Sequence, residues 1–383
     1  MCTDVKLNLD ELVLFDHHCH GVVNEDLDRA GFEELISESS APAVAGTTRF
    51  DSQVGFAIRR FCSAPLGISD FSEPDEYLRV RQELGSSKVN RILLEASKIS
   101  YLGIETGHQP KSILSPEEMS EAASAKAYEI VRLEKVAETV AFQHLEVGGN
   151  PFELWSKIVA ELDKSLCRAI GVKTIAAYRV GLDFPHSQPT DDEAVLAVAN
   201  WFKTLEPGQV PRLADPEVIR ALIWCAIKKE TAIQFHIGYG DDDVDLHLCN
   251  PLLLTNLIRA AADYDARFML LHCYPFHREA GYLADVFPSV YFDVGLAINY
   301  TGSRSTSVIA ESLELAPFGK ILFSSDAFGL PELYYIGAKL FRDGLARVLQ
   351  SFIDEHQWPL AEAERVASMI GFENAIRAYK LEG

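Results

Sequence analysis

The chain is predicted to be an α/β protein whose parallel sheet closes into a (β/α)8, TIM-like barrel. Three observations carry this expectation. Eight short apolar segments alternate with helix-patterned stretches, the order that builds a parallel sheet, and eight such units suit a closed barrel. The 383 residues leave room for one large barrel or two average domains. Four of the eight segments end on histidine or aspartate, and in a barrel those ends meet at one mouth. Residues 1–383 are read as a single barrel domain, with a helical insertion at about residues 22–98 after the first strand.

The elements follow in order. Leu12-Val13-Leu14-Phe15 opens the first strand, taken as residues 12–16. Leu27 to Ser37, Phe50 to Cys62 and Pro74 to Leu84 then carry apolar residues at helical spacing. They make the interval before the second strand, 100–105, far longer than a simple crossover needs. An insertion of that length can form a lid over the mouth or a contact between copies of the chain. A homo-oligomer is compatible with the sequence but not fixed by it. Ser115-Pro116-Glu117-Glu118 has the form of a capping box with proline at the first helical position, opening a helix toward Glu129. Residues 131–134 are either the third strand or a continuation of that helix. The fourth strand is placed at 169–176, and helices open at Thr190 and at Asp215-Pro216. Strands follow at 232–236, 267–272, 289–294 and 320–325. Two helices close the chain near Glu332–Leu349 and Leu360–Leu381.

Composition narrows the function. The chain is 48% hydrophobic and 24% charged, with a net charge of −21. That charge argues against nucleic acid or an anionic membrane surface as partner, since both require a cationic face. Met1-Cys2-Thr3-Asp4-Val5-Lys6 lacks the pattern of a secretory signal, and no apolar run is long enough to cross a bilayer. The seven cysteines are scattered without a CxxC pair, as reduced thiols would be. The expected location is cytoplasmic and the expected partner a small-molecule substrate.

The chemistry is concentrated at the strand ends. Asp16-His17-His18-Cys19-His20 closes the first strand. Alternation places Asp16, His18 and His20 on one face and His17 and Cys19 on the other. Two imidazoles so spaced can hold one metal ion, with Asp16 orienting a ring through its second N–H. The fifth strand ends at His236, the sixth at His272 and the eighth at Asp326. Taken singly, His236 or His272 reads as a core histidine with satisfied partners. Together they form a ligand set suited to zinc or a similar divalent ion.

These residues resemble the metal-dependent amidohydrolase superfamily, most closely its second amidohydrolase group. The segments around Gly238–Asp243, Leu271–Pro275, Tyr282-Leu283-Ala284, Tyr291–Asp293, Glu314–Pro317 and Ser324–Asp326 carry the resemblance, as does Asn374-Ala375-x-Arg377-x-Tyr379-x-Leu381. They resemble the amidohydrolase-like domains found alone or fused to glutamine-synthetase-like proteins, the FluG type. The resemblance spans nearly the whole chain and is weakest from Gly21 to Lys98. It implies that His18, His20, His236 and Asp326 bind one or two zinc ions and that Asp326 shuttles a proton. By the same resemblance, His272 binds a second metal or acts on the substrate. Lys173 stands about where binuclear members carry a carboxylated lysine; the alternative is an ion pair or a contact to a substrate anion.

A metal held this way lowers the pKa of bound water to about 7. Asp326 can take the proton of that water and pass it to a leaving amine, with His272 stabilising the oxyanion. Asp241, Asp242, Asp243 and Asp245 follow His236 and can receive an amine, or can be a solvated acidic loop. Lys173 and Arg179 can bind a carboxylate, although Arg179 also reads as a surface ion-pair partner. The leading expectation is hydrolysis of a C–N bond in a small amide or cyclic amide, amino-acid-like if both charged groups are used. A metal-dependent decarboxylase of a small carboxylic acid is the alternative, since the same ligands serve it. A non-catalytic barrel is the third.

Overall fold

The computed structural model of the protein describes residues 6–108 and 113–382. Seven parallel strands follow one another around a curled sheet: β1 (Leu14–Cys19), β2 (Ile99–Glu105), β3 (Lys126–Arg132), β4 (Ala169–Thr174), β5 (Ala232–His236), β6 (Arg267–Leu271) and β7 (Val290–Phe292). The expected eighth strand is not a regular ladder strand. Ile321 makes a single bridge to Phe292, and Leu322 N–H donates to the Phe292 carbonyl at 2.9 Å. On its other side this stretch meets β1: His17 N–H donates to the Phe323 carbonyl at 3.2 Å and Asp326 N–H to the His18 carbonyl at 3.1 Å. The ladder is interrupted because Ser325 N–H is spent on the Asp16 carboxylate at 2.9 Å, and Asp326 takes a φ of 49°. The architecture is TIM-like, with seven ladder strands and an irregular eighth segment bonded to both β7 and β1.

Other boundaries differ from expectation, among them the first strand, which runs on to Cys19, the seventh, which is only three residues long, and the third and fourth. The helix opened by the Ser115 capping box is Pro116–Ala123, and it stops where Ser124 turns left-handed at φ 51°. Strand β3 begins soon after, and Leu133–Glu146 is already the next helix. Tyr128 and Ile130 alternate into the barrel, where Tyr128 stacks on Phe15 at 6.0 Å, so strand periodicity begins before residue 131. Strand β4 ends at Thr174, and the apolar residues beyond it form the short helix Ala176–Arg179.

The barrel interior is filled by Phe15, Ile130, Met269, Leu271 and Leu322, closed on one side by Ala375, Ala378 and Tyr379. A second, larger apolar cluster gathers residues from the helices and from the other strand faces. Between β1 and β2 run the helices Arg29–Glu34, Gln53–Ala57, Pro74–Leu84 and Ser86–Ser97. A buried contact fixes them to the long helix Pro331–Asp354. Arg81 pairs with Glu332 at 2.8 Å, and the Tyr77 hydroxyl donates to the same oxygen at 3.0 Å.

Among the described residues no helix is long and apolar enough to cross a membrane. The six cysteines among them are free thiols. Cys2, and residues Met1–Val5 of the stretch read above for a secretory signal, lie outside the described residues.

Candidate metal centre and active-site pocket

The site begins with an irregularity in β1. Asp16 pairs with Leu102 of β2 and Cys19 with Ile104, so the register slips by one residue between them. A bulge of this kind breaks the two-residue alternation. His17 and His18 therefore both reach interior groups, where alternation placed them on opposite faces. His17 lies between the Tyr379 hydroxyl (2.9 Å) and Asp293 (3.0 Å), and His18 meets Gln234 at 2.8 Å. Asp16, expected to orient a histidine ring, instead accepts from the backbone N–H and hydroxyl of Ser325. Burial, opposed by those two hydrogen bonds, pushes its pKa up to about 8.

The hydrogen-bond network assigns the histidine tautomers. Gln234 Nε2 donates to the His17 carbonyl and meets the Tyr379 hydroxyl, both at 2.8 Å, which turns its Oε1 toward His18 Nδ1. An amide oxygen can only accept. His18 therefore carries its proton on Nδ1, and its Nε2 lone pair meets Lys173 Nζ at 2.9 Å. His20 Nδ1 faces the carbonyl and carboxylate of Glu105 at 3.3 and 3.4 Å, again only acceptors, so that nitrogen carries a proton and Nε2 is the one left to hold an ion. These Nε2 atoms lie 3.0 Å (His18) and 3.6 Å (His20) from one oxygen, Asp326 Oδ1.

An ion held between these atoms would relieve the repulsion of lone pairs that face a carboxylate oxygen. The ligand atoms of His18, His20 and Asp326 all lie within 4.8 Å of one another, a group that can hold a divalent metal ion. Two neutral imidazoles and a carboxylate are ligands that zinc takes. The unspent donors around them agree: His236 Nε2 and both ring nitrogens of His272 are buried without a hydrogen-bond partner. The residues present fit such an ion.

His236 and His272 stand beside this trio. Their rings are 4.8 Å apart, and His272 Nδ1 lies 3.5 Å from Asp326 Oδ2. The two carboxylate oxygens of Asp326 thus face different partners. His272 and Asp326 both adopt left-handed backbone, φ 69° and 49°. For non-glycine residues that costs on the order of 1–3 kcal/mol each, a strain that concentrates at functional sites. Gly240 leaves room at the mouth, where a Cβ would come within 2.3 Å of the Tyr178 hydroxyl and 2.9 Å of His236 Nε2.

Electrostatics keep the ligands in their binding forms. Burial, reinforced by Lys173, lowers the His18 pKa well below 6.5, and burial with His272 and Lys173 does the same to His236. Burial brings His272 to about 4. Burial alone would raise the Asp326 carboxyl, but His272 and the contacts to His18 and His20 hold it well below its ordinary value. Lys173 is buried with Nζ 2.9 Å from His18 Nε2, and burial lowers its pKa as well. Its place one residue before the end of β4 puts it at the trio.

These groups open into a cavity of about 300 Å³ lined by His20, Lys173, Tyr178, Arg179, His236, Asp241, Asp243, His272 and Asp326, together with Glu38, His108, Arg132 and Arg212. Of the candidate residues, His18, Asp16, Asp242 and Asp245 are not part of this lining. Two expectations change in detail. Asp243 is paired with Arg212 at 3.0 Å, so the acidic loop carries its own counter-charge. Arg179 lines the pocket and is not a surface residue, with only 13% of its side chain exposed.

Several contributors were not singled out from sequence. Gln234 and Glu105 had a readable signal: each is a polar residue inside or at the end of an apolar strand, as His236 and His272 are. Asp293, just after β7, had the same signal. Glu38 and Arg212 had none, because they arrive on connections far from the strands. Burial raises the Glu38 carboxyl to about 7, helped by the charge of Asp326.

The chain belongs to the amidohydrolase family, whose model matches residues 160–381. That span holds Lys173, His236, His272 and Asp326; His18 and His20 precede it. Protein fluG of Emericella nidulans is 28% identical over 404 residues, covering 96% of this chain and 46% of fluG. The chain therefore spans about half the length of that curated relative. A protein of Lactobacillus casei provisionally named a metal-dependent hydrolase has a TM-score of 0.82 at 27% identity, covering 97% of this chain and 96% of that one. A uronate isomerase of Bacillus halodurans reaches a TM-score of 0.62 at 12% identity over 98% of this chain and 94% of that one, a likeness of fold alone.

Proposed function

We propose that the chain is a metal-dependent hydrolase that cleaves a C–N bond, in an amide or cyclic amide, of a small substrate. The observation that carries this reading is the convergence of His18, His20 and Asp326, whose ligand atoms lie within 4.8 Å of one another. His18, His20 and Asp326 would hold a divalent ion, zinc by ligand type, with His236 and His272 as further donors. When bound, the ion supplies Lewis-acid polarisation and a more acidic water.

The chain's own groups supply the remaining chemistry. Asp326 Oδ2, turned away from His18 and His20, accepts a proton from the attacking water and returns it to the leaving nitrogen. His272 is neutral near pH 7 with two unspent nitrogens, so it can donate to the oxygen on which charge develops. His236 closes the same wall. Lys173 has a lowered pKa that favours the neutral amine, the form able to add carbon dioxide. A carboxylated Lys173 would add a further oxygen ligand, visible as the mass of one carbon dioxide on the native protein.

The test is a panel of small amides and cyclic amides presented to metal-loaded protein, reading ammonia or amine release beside carbon dioxide release. Nitrogen release that stops on chelation and returns with zinc is expected. Carbon dioxide release without nitrogen release would replace this reading with the decarboxylase.

A further inference from the structure

Three guanidinium groups share the pocket wall, and they are not equivalent. Arg132 is satisfied from behind by Glu105, through bonds of 3.0 and 2.6 Å. Arg212 is 54% exposed and paired with Asp243. Arg179 is held by Glu138 through Nη2 at 3.4 Å, while its Nη1 is buried with no partner. A buried guanidinium N–H left unpaired is costly, and this one belongs to a side chain lining the cavity. Its position is enforced. Glu138 Oε1, the oxygen facing Arg179, also accepts Leu213 N–H at 2.8 Å and so ties Arg179 to the segment carrying Arg212. Arg212 and Arg132 stand close enough that their charges act against that of Arg179. An anion at Nη1 would satisfy the donor and relieve the repulsion together.

We propose that Arg179, positioned by Glu138 and reinforced by Arg212, anchors a carboxylate carried by the substrate. The proposal rests on the hydrolase reading and deepens it, because it places an acid group on the molecule whose C–N bond is cut. A phosphate would present the same oxygens to a guanidinium. The lining favours a group that concentrates only one charge at the anchor: Arg179 shares the wall with Asp241, Asp243 and Asp326, which a second charge on the same group would meet as added repulsion.

The test uses probes of one carbon skeleton, glutarate and glutaramide, with inorganic phosphate as third probe. Binding is followed by calorimetry on the full chain, zinc-loaded and, in parallel, after chelation. Wild type should prefer glutarate over glutaramide by about tenfold or more in both states, the worth of a charge-assisted pair. R179M should erase the preference, R179K should restore part of it, and E138Q should weaken glutarate while leaving glutaramide unchanged. Melting curves confirm that each variant is folded, and R179K serves if R179M is not. Equal binding of the two probes, no glutarate binding, or a preference that survives R179M would overturn the proposal. A preference seen only with zinc and insensitive to R179M would make the metal the anchor, and phosphate binding more tightly than glutarate would overturn the carboxylate assignment. Because the chelated arm needs no turnover, a failed hydrolase reading would show separately, as an absence of nitrogen release.

Discussion

Two buried polar clusters share the barrel interior, one behind the other. In the deeper one, Asp293 Oδ2 meets His17, and its Oδ1 accepts from His272 N–H, Gly295 N–H and the Ser324 hydroxyl at 2.7–3.0 Å. Tyr379 and Gln234 complete it. Burial alone would push the Asp293 carboxyl up, but His17 and these donors hold it well below its ordinary value. Nearer the mouth the accounting differs. The Nε2 lone pairs of His18 and His20 face a carboxylate, and His236 and His272 leave nitrogens unpaired. Both clusters hold buried histidines and an aspartate, so burial and residue type do not separate them. Unspent hydrogen-bonding capacity does: a satisfied network holds the fold, and an unsatisfied one waits for a ligand.

Asp326→Asn gives the largest expected effect. The amide cannot take the proton, so kcat on the amide panel should fall by roughly a thousandfold with the melting temperature nearly unchanged. A variant retaining most of its turnover would show that Asp326 is not the proton carrier. Asp293→Asn should do the reverse. Breaking one partner of a buried charged network costs about 3 kcal/mol, read as a shift in the denaturant midpoint, while the folded fraction keeps its metal. Loss of metal without loss of stability would merge the two clusters.

Gln234→Leu falls between them, since it frees the His18 ring whose proton Gln234 places. Outer partners of this kind are worth about 10- to 100-fold in metal affinity, measurable by competition with a chromophoric chelator. The smallest effect is a pH dependence. With His272 at about 4 in the fold against its ordinary 6.5, the unfolded chain binds more protons between those values. The stability of the chelated protein should therefore fall as pH falls through that window. His272→Asn should make the decline shallower, and an identical slope in urea titrations would show that the ring is not held neutral.

Much of this was legible in advance because strand ends are where a barrel must place its chemistry. His18, His20, His236, His272 and Asp326 each close an apolar run, and that shared position singled them out as a set, which the structure brings to one wall. The same rule reaches Glu105, Gln234 and Asp293 once carboxylates and amides count beside histidines. What could not be read was local geometry. A one-residue bulge in β1 turned His17 inward and gave Asp16 to Ser325, and no two-residue alternation contains that slip. The eighth segment has the apolar character of a strand but spends the Ser325 N–H on the Asp16 side chain. Glu38 and Arg212 come from connections whose course depends on tertiary packing.

The reading stands or falls on whether His18, His20 and Asp326 hold a divalent ion. Metal analysis of the purified full chain by mass spectrometry, beside His18→Ala and His20→Ala, tests it most directly. The account predicts about one or two equivalents of divalent metal in wild type, in line with zinc sites of this ligand type, and near-complete loss in either variant with the fold intact. Wild-type protein that neither carries metal nor binds added zinc, or variants that hold it as well as wild type, would contradict it.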